Sequence, residues 1–170
     1  MPLPGSKILV WVVPPTAFVR LEGRATVERA RDFKVLVNRL DAEGIERFCL
    51  DLADCKLMDS TFSGILAALA TELGPSTGGP ARFVLVNPNA RVRDLLDNLG
   101  ILPLVSLVEG ENWVLPEGVA TEVAAGPASK KETTLCCLDA HRFLSAIKPE
   151  NRDKFADVTQ ILEREVALMP

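Results

Sequence analysis

A run of hydroxyl and carboxyl side chains, Met58-Asp59-Ser60-Thr61, lies where an apolar segment gives way to a helical pattern. Asp and Ser at such a junction cap the free N–H groups of a helix start. A hydroxyl there is also suited to phosphorylation, because exposed amides and the helix dipole stabilise a dianion. The residues alone leave both roles open, a cap and a phosphate acceptor.

Few other side chains in the sequence could act as nucleophiles, acids, bases or metal ligands. The chain has four cysteines and one histidine, namely Cys49, Cys55, Cys136, Cys137 and His141. The cysteine spacing does not match a zinc site, so we expect reduced thiols, no metal and no cofactor. His141 and Arg142 are expected on a solvated helix face, with the vicinal cysteines half-buried nearby. Because any Ser-His or Cys-His pair would have to use His141, we predict that the chain is not an enzyme.

Composition narrows the class of partner. The 170 residues include 19 Lys and Arg against 23 Asp and Glu, a net charge of −4, and 48% are hydrophobic. This is a globular, acidic chain without the positive field that binds phosphate backbones, which argues against nucleic acid. No apolar run approaches the ~18 residues of a membrane helix. We therefore expect a cytoplasmic protein with no membrane partner.

Alternating strands and helices must position the Asp59-Ser60 junction. Apolar runs predict strands at residues 8–13, 17–22, 47–52, 82–86 and 104–108. Helical spacing predicts helices that begin near Thr26, at Ser60 and near Val92, with Thr26 as a cap and Gly44 and Gly100 as terminators. In the second helix this spacing is kept by Phe62, Ile65, Leu66, Leu69 and Leu73. Residues 54–59 and 74–80 are expected to be loops. The pattern indicates an α/β fold with four or five strands, antiparallel at first and then largely parallel.

The C-terminal part has a different character. Residues 117–130 are rich in Ala, Gly, Ser and Pro, and two amphipathic helices are predicted at 131–148 and 149–169. We expect a domain at 1–118, a linker at 119–130 and a helical hairpin at 131–170. Since two such helices are not stable alone, their apolar stripe must be buried in the core or in a dimer. The stripe consists of Phe155, Val158, Leu162, Val166 and Met169.

Three segments together resemble the signature of STAS domains, the family of bacterial anti-sigma-factor antagonists and their relatives. They are Leu50-Asp-Leu-Ala-Asp54, Met58-Asp-Ser-Thr61 and Gly64-Ile-Leu66. In that signature a strand ends in Asp-Leu or Asp-Val, and Asp-Ser-Ser/Thr-Gly-Leu-Gly opens the next helix after a loop. The resemblance extends over about residues 8–110 and implies a STAS-type fold. Phe62 and Ser63 depart from it, because the motif has Gly and Leu there.

The resemblance also implies a binding switch controlled by phosphorylation. In such antagonists an anti-sigma kinase phosphorylates the serine after the motif aspartate, and a metal-dependent phosphatase reverses the reaction. The matching residue is Ser60, with Thr61 as a second acceptor and Ser63 as a weaker one. The implied partner-binding face comprises Asp59, Ser60, Thr61 and Phe62. The alternative is a STAS scaffold that is not phosphorylated, in which the helical tail forms a homodimer or holds a larger signalling or transport assembly.

Overall fold

The computed structural model describes residues 5–74 and 81–170. Within these ranges the chain forms seven strands: β1 (Lys7–Val13), β2 (Thr16–Ala25), β3 (Arg47–Asp51), β4 (Cys55–Met58), β5 (Phe83–Val86), β6 (Ser106–Val108) and β7 (Thr121–Glu122). The five α-helices are α1 (Val27–Ala42), α2 (Ser60–Glu72), α3 (Ala90–Asn98), α4 (Lys130–Ile147) and α5 (Pro149–Leu168). A short 3-10 helix, Leu102–Leu104, precedes β6.

The strands form one mixed sheet in the order β6-β5-β3-β2-β1-β7, and β4 pairs with the far end of β2. β1 is antiparallel to β2 and β7, whereas β2, β3, β5 and β6 are mutually parallel along the sheet. The five predicted strands and the mixed α/β class are confirmed. The last of them is shorter than predicted, because residues 102–104 turn into the 3-10 helix.

Two strands of the structure were not predicted from the sequence. Residues 54–59 were expected to be a loop, but Cys55–Met58 form β4, parallel to Gly23, Arg24 and Ala25 at the end of β2. β2 is ten residues long and β3 only five, so the end of β2 needs another partner for its backbone. β7 lies in the expected linker and covers the edge of β1. Residues 75–80 of the expected 74–80 loop lie outside the described residues.

The core lies between the sheet and the helices. Residues of β2 alternate between buried and partly exposed, as on a sheet with one covered face, whereas Phe48 to Asp51 of β3 are all buried. α1 and α2 pack against each other, and α4 packs across both. Helices α1 and α3 end as predicted, because Gly44 and Gly100 follow them with φ of +93° and +80°.

The tail forms a helical hairpin that is part of this core. Ser129 caps α4 in a reciprocal pair with Glu132. Pro149 occupies the first turn of α5, where it was predicted. The α4 residues turned towards the domain are buried: Thr134, Leu138, Ala140, His141 and Leu144. On α5 the predicted stripe is buried only at Phe155, and Ile161 and Leu168 of the outer surface are 54% and 86% exposed.

Candidate regulatory site at the start of α2

Asp59 connects the starts of two helices. Its Oδ1 accepts a hydrogen bond from the N–H of Phe62 at 2.8 Å, which caps α2, and its Oδ2 accepts from the N–H of Val27 at 2.8 Å, which caps α1. Thr26 occupies the cap position of α1, but its side chain makes no capping bond, contrary to the prediction. The backbone of Asp59 is held as well, because its N–H donates to the carbonyl of Ala25. One carboxylate therefore stabilises both helix dipoles and sets the position of the next residue.

Ser60 is the first residue of α2 and is partly exposed. Its Oγ lies 2.9 Å from Nε2 of His141 on α4. Nδ1 of the same ring lies 2.7 Å from the backbone carbonyl of Cys137, which can only accept, so Nδ1 carries a proton. In the neutral imidazole Nε2 then accepts the hydroxyl hydrogen of Ser60. The expectation of a solvated His141 is wrong, since the residue is 4% exposed.

The remaining residues of the predicted face point inwards. Thr61 is 4% exposed, and its Oγ1 lies 3.2 Å from Sγ of Cys137. Phe62 is fully buried, with its ring centroid 4.9 Å from that of Phe33 on α1. Phe62 therefore packs α2 against α1 and is not part of a docking surface. Ser63 is also fully buried, and its hydroxyl donates to the carbonyl of Asp59 at 2.8 Å.

The polar groups that α4 brings to this site influence each other's ionisation. Burial lowers the pKa of His141, but hydrogen bonds with Cys137 outweigh it and raise the pKa above its usual value. Burial raises the pKa of the Cys137 thiol, but hydrogen bonds from His141 and Thr61 leave it below the usual value. Burial raises the pKa of the neighbouring Cys136 instead. The site thus combines a polarised serine hydroxyl with a thiol inclined to ionise.

The structure places His141 and Cys137, which the sequence analysis assigned elsewhere, beside Ser60 and Thr61. A signal for His141 is present, because it lies three residues from both Leu138 and Leu144 and so shares their buried face. In the described part of the chain no group of three or more His, Cys, Asp or Glu residues is placed to hold a metal ion. None of the helices at residues 5–74 or 81–170 is long and apolar enough to cross a membrane.

Comparisons with known proteins agree with this architecture. The anti-sigma factor antagonist SpoIIAA, in its unphosphorylated form, is similar with a TM-score of 0.52 and 18% identity, over 62% of this chain and 89% of that one. A proposed anti-sigma factor antagonist from Thermotoga maritima is similar with a TM-score of 0.50 and 23% identity, over 59% of this chain and 85% of that one. At these identities the likeness establishes the fold. No curated protein sequence matches the chain.

The family model of the STAS domain matches residues 7–112, which run from β1 through the signature helix to just beyond β6. The match ends before β7, α4 and α5, so the helical hairpin lies outside the matched range. The matched range, the sheet order and the Asp59-Ser60 junction at the start of α2 together identify the chain as a member of the STAS domain family.

Proposed function

We propose that this chain is a regulator of the anti-sigma-factor-antagonist type, which binds an anti-sigma serine kinase and is switched by phosphorylation of Ser60. The observation that carries the proposal is the position of Ser60: the residue is partly exposed, and it is the first residue of α2, directly after the cap Asp59. The fold shared with SpoIIAA supports the proposal. A cognate phosphatase would reverse the modification.

The physical effect of the phosphate would be electrostatic. Phosphorylation adds about 1.5 to 2 negative charges at neutral pH, here beside the carboxylate of Asp59. The start of α2 offers free N–H groups and a positive dipole end, which tolerate the new charge. A partner seated on the same surface would meet repulsion and the desolvation of a dianion. Phosphorylated and unphosphorylated chains would therefore differ in affinity for the partner.

The direct test is phosphorylation by anti-sigma-type serine kinases from the same genome, with ATP, followed by intact-mass and peptide analysis. We expect one phosphate on Ser60, none on the Ser60→Ala variant and an unchanged level on Thr61→Val, because Thr61 is buried. Ser60→Asp should weaken kinase binding. Unmodified protein with every cognate kinase, together with binding that is indifferent to Ser60→Asp, would refute the switch.

A second candidate function has an observation of its own. The Ser60 hydroxyl is engaged by His141, and apolar residues of α5 such as Ile161 are exposed, which favours a STAS scaffold that is not phosphorylated and associates through α5. Under this alternative the chain would form a homodimer, and Ile161→Asp with Leu168→Asp would convert it to a monomer in light scattering. A monomeric wild-type chain would exclude the homodimer and leave only a scaffold that assembles with other proteins.

A further inference from the structure

The helical hairpin of α4 and α5 lies on the start of α2, the surface that the proposed function assigns to the partner. Ser60, Thr61 and Gly64 lie along one side of α2, and each meets a residue of α4. The first two contacts are polar and involve the hydroxyls that are candidates for phosphorylation. The hairpin lies outside the range of the family match, so the match itself does not account for this contact.

The two helices approach so closely at Gly64 that nothing fits between them. A Cβ added to Gly64 would lie 2.6 Å from the carbonyl oxygen of Ala140 and 2.8 Å from its Cβ, both well inside van der Waals contact. The glycine and the alanine therefore allow the backbones to meet directly. A partner protein cannot reach this side of α2 while α4 is in place.

The far end of the hairpin is held by separate contacts. Asn151 at the start of α5 is 1% exposed, and its Nδ2 donates to the carbonyls of Leu99 and Leu144, both at 2.9 Å. The ammonium group of Lys148 donates to the carbonyl of Asn98 at 2.9 Å. The bonds to Leu99 and Asn98 tie the hairpin to the end of α3, whereas the bond to Leu144 joins α5 to α4 within the hairpin. Substitution of Asn151 can thus loosen the hairpin without removing a hydrogen bond of Asp59, Ser60 or His141.

We infer that the hairpin is a built-in cover of the docking surface, which must leave the start of α2 before Ser60 is phosphorylated or a partner binds there. The identity of the covered surface rests on the proposed function, whereas the contact itself does not. The covered and the partner-bound states are mutually exclusive, because both need the side of α2 that includes Ser60 and Gly64. The free chain is therefore the closed form of the regulator.

A phosphate on Ser60 disrupts the contact that the Ser60 hydroxyl makes with His141 in the closed form. The Oγ atom is 2.9 Å from Nε2 of His141, and phosphorylation removes its hydrogen and adds a group with three further oxygens on that atom. The group would have to enter the space between α2 and α4 or turn away and break the bond to His141. The adjacent carboxylate of Asp59 repels it in either position.

The test uses the chain alone, with phosphoserine incorporated at position 60 during synthesis, and measures amide hydrogen exchange by mass spectrometry. Exchange of peptides from α4 and α5 should accelerate by about tenfold or more, a factor that corresponds to about 1.4 kcal/mol of lost hairpin docking, while β3 and β5 stay unchanged. Ser60→Ala, which removes one hydrogen bond without adding charge, should have a much smaller effect. Exchange of α4 that is unchanged or slower in the phosphoserine protein would overturn the inference.

A second arm loosens the cover from its far end. Asn151→Ala should accelerate exchange in α4, α5 and the start of α2, and Glu165→Gln on the exposed outer side of α5 is the matched control that should leave it unchanged. If the hairpin of Asn151→Ala exchanges rapidly while the amides at the start of α2 stay protected, the inference is also overturned. Where a kinase modifies Ser60, Asn151→Ala should raise the rate several-fold. If no kinase does so, the proposed function fails, and the exchange data still decide whether the hairpin covers α2.

Discussion

Asp59 is the residue whose replacement most directly tests how the site is built. Its two carboxylate oxygens each accept a backbone N–H at 2.8 Å, one from α1 and one from α2. Replacement of a helix-capping residue by alanine costs about 1 kcal/mol, and hydrogen bonds to a charged group are worth about 1.5–3 kcal/mol. Because the side chain of Asp59 is partly exposed, the lower values apply to each bond. Asp59→Ala should therefore lower the free energy of unfolding by about 2–3 kcal/mol.

Two further variants separate the contributions. Asp59→Asn keeps one acceptor oxygen, but its amide group faces the second N–H as a donor, so we expect about half of the loss that alanine causes. Thr26→Ala is the matched control, because Thr26 has the cap position of α1 without a capping bond. Its effect should stay within about 0.5 kcal/mol.

The assay is urea denaturation followed by circular dichroism and by the fluorescence of Trp11 and Trp113. The slope against urea should stay constant, so that a shift of the midpoint reports stability. A loss below about 1 kcal/mol for Asp59→Ala, or one equal to that of Thr26→Ala, would refute the double-cap explanation. The expected loss also means that Asp59 variants are unsuited to tests of phosphorylation, since they disturb the fold.

Three other substitutions or titrations test the packing and ionisation of the site. Phe62→Ala should lower the free energy of unfolding by about 3–5 kcal/mol and Phe62→Leu by clearly less, measured by the same denaturation, whereas an exposed ring would make both nearly neutral. Because the folded-state pKa of His141 is raised above 6.5, its stabilising effect should be complete below pH 6.5 and fall away as the pH rises through the raised pKa. The stability difference between wild type and His141→Gln measures this, and the NMR titration of the only histidine checks the direction. Cys137, with its lowered pKa, should react with iodoacetamide before Cys136 and well before the buried Cys55, whose pKa is raised to about 11; peptide mapping after brief alkylation would expose any other order.

Local patterns predicted the elements of the fold well, because strand and helix periodicities are properties of short segments. The glycine terminators and Pro149 at the start of α5 are of the same kind. The cap of α1 could not be predicted this way, since the carboxylate that supplies it is 32 residues away in sequence from the N–H it accepts. β4 was not predicted for a similar reason. Its four residues form a strand only because β2 extends past β3 and pairs with them.

The candidate site was predicted in part. Helical spacing placed Phe62 on the same side of α2 as Ile65 and Leu69, whereas the resemblance placed it on the partner-binding face. The structure agrees with the spacing, because the Phe62 ring, which stands at the motif's glycine position, is buried in the core beside Phe33. His141 was missed because an amphipathic helix does not specify, by its own residues, which surface will bury its apolar side. The docking of α4 on α2 follows from tertiary packing at Gly64, which the motif alone does not indicate.

The pairing of β7 with β1 has a consequence for any competitor of the hairpin. Thr121 and Glu122 pair with β1 in the sheet. The N–H of Val123 donates to the carbonyl of Ile8, and the carbonyl of Val123 accepts from Arg29. The tether to α4 therefore consists only of the few residues between 123 and 130. A short tether holds the hairpin near α2 at an effective concentration of about millimolar. A partner that arrives by diffusion competes against this local concentration, so its apparent affinity is reduced in proportion to the time that the hairpin spends seated on α2. If the hairpin covers α2 as inferred, the length of this tether, as much as the contacts of the helices, sets the partner concentration that is needed to displace it.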